Sequence, residues 1–93
     1  MLKRMLIINP ADNVGIVMED VVKGDEVAMD DTRVVALEDI EFAHKILLWD
    51  LAPGEEIIKY GESIGYALKP IKKGEWIHIH NLDCDRARTG KLV

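Results

Sequence analysis

Ile71-Lys72-Lys73-Gly74-Glu75-Trp76-Ile77 is the third appearance of one pattern in this chain. Val21-Val22-Lys23-Gly24-Asp25-Glu26-Val27 and Leu51-Ala52-Pro53-Gly54-Glu55-Glu56-Ile57 precede it. Each opens apolar, passes through a turn ending in glycine, places an acid next and resumes with a β-branched residue. Glycine supplies the positive φ that such a turn needs, and Pro53 fits its fixed-φ position. A short apolar run follows each time, so the pattern predicts turns that enter strands rather than helix caps. The spacings, 30 and then 20 residues, are too irregular for a solenoid. One small domain reuses a turn.

Between these turns the apolar runs Met5–Ile8, Val14–Met18, Val34–Leu37, Ile46–Trp49, Ile57–Tyr60, Ile64–Leu68 and Trp76–Leu82 read as strands. The last alternates, with Trp76, His78 and His80 on one face and Ile77 and Ile79 on the other. No helical periodicity outlasts about ten residues. Short helical turns are expected near Val14–Val22 and Leu37–Ala43. The expected fold is therefore mostly β. The aromatics, Phe42, Trp49, Tyr60, Tyr66 and Trp76, all fall between residues 42 and 76, which assigns them to the core or to an interface. The domain is drawn over residues 1–82, with 83–93 as an exposed tail.

With 93 residues the chain holds one domain, and 48% hydrophobic with 31% charged residues is a globular composition. Its longest uncharged runs are seven residues, far short of the about 20 that a membrane helix needs. One cysteine, Cys84, cannot pair internally, so a reducing cytoplasm is expected. A net charge of −5 argues against nucleic acid as a partner. The charge is uneven: residues 1–43 sum to −6 and residues 44–93 to +1, so an anionic ligand fits the second half better.

Chemistry is available in a few places. His78 and His80 sit about 7 Å apart on one strand face, a spacing suited to joint metal coordination or hydrogen bonding. The competing reading is a solvated strand face. Asn81 adds an amide to that end, and His44-Lys45 introduces the run into Trp49. Lys59-Tyr60-Gly61 can bind a carboxylate beside a glycine turn, or simply end a strand. Cys84 lacks the partners of a nucleophile, and Gly61-x-x-x-Gly65 lacks the lysine–hydroxyl pair of a phosphate loop.

Taken together, Lys59-Tyr60-Gly61-x-x-Ile64-Gly65 and Gly74-Glu75-Trp76-Ile77-His78-Ile79-His80-Asn81 resemble the N-terminal SAF domain of altronate and galactarate dehydratases. Ala43-His44-Lys45, Asp50-Leu51-x-x-Gly54-Glu55 and Asn9-Pro10-x-Asp12-Asn13-Val14 match in the same order, so the resemblance covers about residues 7–82. It implies a β-clip fold and dehydration of a sugar acid to a 2-keto-3-deoxy acid, assisted by a divalent metal, usually iron. It also implies His44, His78 and His80 as catalytic residues, with His78 and His80 alternatively as metal ligands. Lys45, Lys59, Tyr60 and Asn81 would bind substrate. Such chemistry needs a base, an acid and a cation to stabilise an enediolate.

In the fused enzymes a much larger domain follows, whereas this sequence stops at Val93. The expectation is a small subunit, inactive alone, with the metal held together with a separate large subunit. The alpha subunit of sulfolactate sulfo-lyase, which expels sulfite, is the alternative within enzymes. A non-catalytic carboxylate- or sugar-binding module, or an assembly module, is the alternative outside them. An uncovered strand edge would also favour a homo-oligomer.

Overall fold

A computed structural model describes residues 1–77 and, beyond them, the strand Leu82–Asp83. The strands are β1 (Leu2–Leu6), β2 (Val14–Val17), β3 (Glu26–Met29), β4 (Thr32–Val35), β5 (Lys45–Leu47), β6 (Glu56–Lys59), β7 (Glu62–Ala67), β8 (Trp76–Ile77) and β9 (Leu82–Asp83). One sheet runs β4-β3-β1-β2-β5-β8 and the other β6-β7-β9. The described residues contain no helix, and the fold is mostly β and SAF-like, as expected. The helical turns are not found: Val14–Val17 is a strand, and the run after Leu37 is held extended by a Val21–Ile40 bridge. Backbone pairing to distant residues prevails there over local helical bonding.

The recurring turn explains the architecture. Val22, Ala52 and Lys72 each accept from the N–H three residues on, at 2.9, 3.1 and 3.0 Å. The carboxylates of Asp25, Glu55 and Glu75 accept back from the N–H of those residues, at 3.0, 2.6 and 2.8 Å. Gly24, Gly54 and Gly74 hold φ of 94°, 89° and 95°. Each glycine N–H then donates to a partner strand, at Ala36, Ala67 and Leu47.

These turns come in pairs around the bridges Val21–Ile40 and Leu51–Ile71. Around the first, the Lys23 N–H donates to Asp39 and the Phe42 N–H to Asp20, both at 2.9 Å. Around the second, the Lys73 N–H donates to Asp50 at 2.8 Å. The equivalent fourth bond is absent because its donor and acceptor positions are Pro53 and Pro70. The pairing exposes a fourth copy of the turn, Glu41-Phe42-Ala43-His44, closed by the His44 N–H on the Glu41 carbonyl at 3.0 Å. Ala43 stands where the others have glycine, at φ 74°, and His44 stands where they have the acid.

The core is aliphatic. Met5, Val17, Val27, Val34, Ile40 and Ile46 belong to one buried cluster, and Val14, Leu47, Leu51, Ile57, Ile71 and Ile77 to a second. Strand alternation sends Ile46 into the first and Leu47 into the second, so β5 separates them. Of the two places expected for the aromatics, the core is not theirs: Phe42, Trp49 and Tyr60 are exposed, while Tyr66 and Trp76 are half-buried.

Candidate functional site

The fourth turn carries the site. His44 leaves it and places its ring 5.4 Å from the Trp76 ring, tilted by 34°. Trp76 is opposite Ile46 on β5 and packs on the first cluster, and its backbone N–H donates to the Glu38 carboxylate at 2.9 Å. Ala43, His44, Lys45, Trp76 and Ile77 line a depression of about 210 Å³. A second depression of about 310 Å³ is lined by the same ring pair together with Asp39 and Glu41.

Lys45, the first residue of β5, borders the same depression as His44. It shares a face of the sheet with Leu47 and with Ile77, its partner in register. That face covers the second cluster, to which β6 contributes Ile57. Lys59 follows Ile57 by two residues and so emerges from the same side. Burial pushes the half-buried Lys45 amine below the ordinary lysine value of 10.5, and the nearby Lys59 charge lowers it further. Neither lysine forms an ion pair among the described residues. The Lys59 ammonium lies 4.7 Å from the centre of the Tyr60 ring.

Tyr60 and Gly61 form the tip of the β6–β7 hairpin, both at positive φ, 58° and 76°, the pattern that matches strand twist in a two-residue loop. Two residues that the sequence quoted without a role hold this tip. Asp12 and Asn13, 2% and 4% exposed, bond to it through their side chains. Their burial is the missed signal: a polar pair flanked by Ala11 and Val14 invites no chemistry when read locally.

Of the expected site residues, His44, Lys45, Lys59 and Tyr60 fall among the described residues, and Lys45 and Lys59 are within electrostatic reach. His78, His80 and Asn81 lie outside the described residues. Among the described residues no group of three His, Cys, Asp or Glu side chains is placed to hold a metal. The Lys45 and Lys59 charges disfavour a divalent cation next to them and attract an anion. No helix among the described residues is long and apolar enough to cross a membrane.

Comparison with known proteins gives the chain its context. Residues 3–85 match the model of the altronate/galactarate dehydratase SAF domain. Altronate dehydratase of Escherichia coli (strain K12) is 42% identical over 74 residues, covering 80% of this chain and 15% of that enzyme. The altronate dehydratase of Bacillus subtilis (strain 168) is 35% identical over 80 residues, 86% of this chain and 16% of the enzyme. The (2R)-sulfolactate sulfo-lyase subunit alpha of Chromohalobacter salexigens is 34% identical over 82 residues, 81% of this chain and 87% of that subunit. The chain thus spans about a sixth of the dehydratases' length and most of the sulfo-lyase subunit's. From the matched family model and these relatives, the chain belongs to the altronate/galactarate dehydratase SAF-domain family.

Proposed function

We propose that the chain is the small subunit of an altronate-dehydratase-like hydro-lyase, which with a separate large subunit converts a sugar acid to a 2-keto-3-deoxy acid. The observation that carries this reading is the pair Lys45 and Lys59, two cations within electrostatic reach of each other and without a described counter-charge, with Lys45 lining the His44–Trp76 depression. A substrate carboxylate supplies the missing negative charge, and Tyr60 borders the same cation. Proton transfer falls to His44, with His78 and His80 as the further acid–base groups and Asn81 as a polar substrate contact. His78 follows Ile77 directly in the chain, and Ile77 is the register partner of Lys45. On this reading the divalent metal, iron in the first instance, belongs with the large subunit. The complex works in the reducing cytoplasm expected from the single cysteine.

A second reading has its own support: the chain spans 87% of a sulfo-lyase alpha subunit. One experiment separates the two. The chain is mixed with a large dehydratase subunit and supplied with altronate or (2R)-sulfolactate. A keto-deoxy acid formed only by the mixture, and lost in His44→Ala, supports the first reading. Sulfite release supports the second. No turnover of either substrate favours a binding or assembly module.

A further inference from the structure

We infer that Asp12 and Asn13 are positioning residues for this site, holding β6 and its Lys59-Tyr60-Gly61 tip beside β5, which carries Lys45. The structural part stands alone; the effect on activity rests on the reading of Lys59 as a substrate ligand.

Both oxygens of the Asp12 carboxylate are engaged. One accepts from the Gly61 N–H at 2.7 Å and the other from the Asn9 N–H at 3.1 Å. The loop is thereby pressed onto the tip so closely that a Cβ on Gly61 would sit 2.7 Å from the Asn9 amide nitrogen. Asn13 works one step along the hairpin. Its amide accepts from the Ile58 N–H at 2.7 Å and donates to the Glu56 carbonyl at 2.8 Å. Its backbone N–H also reaches the Ile58 carbonyl at 3.2 Å. These bonds fall on β6, next to the register shift between Ile57 and Ile58. The Asn13 carbonyl meanwhile accepts from the Leu48 N–H at 2.9 Å, the residue that follows β5. A single residue thus ties the strand carrying Lys45 to the strand carrying Lys59. A residue with a merely local capping role would bond within its own turn; these two span 43 to 49 residues of sequence to reach the hairpin.

The test is a short amine–amine cross-linker, 1,5-difluoro-2,4-dinitrobenzene, applied to the full chain and read by peptide mass spectrometry. The parent chain is expected to give a Lys45–Lys59 link. Asp12→Asn and Asn13→Asp are expected to lower its yield several-fold. Asp25→Asn, which damages an equally buried carboxylate in a different turn, leaves it unchanged. Asn13→Asp keeps the acceptor for Ile58 and carries the test if Asp12→Asn does not fold. No link in the parent chain, unchanged yield in both variants, or equal loss in Asp25→Asn would each overturn the inference. In the complex with the large subunit, the positioning variants should raise KM for altronate about tenfold while kcat changes less. A lost link with an unchanged KM keeps the positioning role and removes Lys59 from substrate binding.

Discussion

Ala43 and His44 break the rule that the other three turns obey, and that departure can be reversed. Ala43 sits at φ 74°, where Gly24, Gly54 and Gly74 sit at 94°, 89° and 95°. Holding an L residue in that region costs about 1–2 kcal/mol. Alanine recovers about 0.4–1 kcal/mol by restricting the unfolded chain. Ala43→Gly should therefore stabilise the chain by about 0.5–1 kcal/mol, since Ala43 is exposed and its methyl contributes little packing. His44→Glu installs the carboxylate that closes the sibling turns, gaining about 1 kcal/mol. It also loses the Trp76 ring contact, worth about 0.5–1.5 kcal/mol, so its net effect on stability is near zero. Urea unfolding, followed by Trp fluorescence, measures both changes. The complex with the large subunit, by contrast, should lose activity with His44→Glu by about a hundredfold or more, the range of a lost acid–base group. A sequence closer to the fold's own pattern, equally stable and inactive, would mark His44 as retained for chemistry. Full activity in His44→Glu, or destabilisation by Ala43→Gly, would refute the reasoning.

Two further outcomes follow from the same geometry. Gly24→Ala meets nothing within 4 Å and should cost about 1 kcal/mol, whereas Gly74→Ala puts a Cβ 2.1 Å from the Val35 carbonyl oxygen and should cost at least about 2 kcal/mol more; equal midpoints in urea would contradict the approach of β8 to that segment. Lys45 also makes stability depend on pH. Its native pKa lies below the ordinary 10.5 of the unfolded chain, so between those values the unfolded state binds more protons and stability rises as pH rises through that window. Lys59→Met should shrink this rise without abolishing it, because burial is the larger cause; an unchanged pH profile would separate the two lysines.

The strands legible in the sequence were those with an apolar run: Val14–Val17 lies within the expected Val14–Met18, and Glu62–Ala67 overlaps the expected Ile64–Leu68 but begins two polar residues earlier. Glu26–Met29 was missed as a strand because Glu26 and Ala28 dilute its apolar signal, although the turn before it was seen. The glycine turns were legible because positive φ restricts residue choice so strongly. Their fourth copy was hidden for the same reason: with alanine and histidine in place of glycine and acid, only its backbone bonds reveal it. His44, Lys45, Lys59 and Tyr60 could be named from residue type and resemblance. Which of them meet could not, because that depends on β5 separating two cores, a property of strand alternation across the whole sheet. Asp12 and Asn13 gave no local hint, since their partners are more than 40 residues away.

The central claim is that Lys45 and Lys59 together hold a substrate carboxylate. Its most direct test is the KM for altronate of the complex with a large subunit, measured for Lys45→Met and Lys59→Met at equal subunit occupancy. Removing one charge-assisted contact is worth about 1.5–3 kcal/mol, so each variant should raise KM by about ten- to a hundredfold, with a smaller change in kcat. A KM unaltered in both variants would contradict the account.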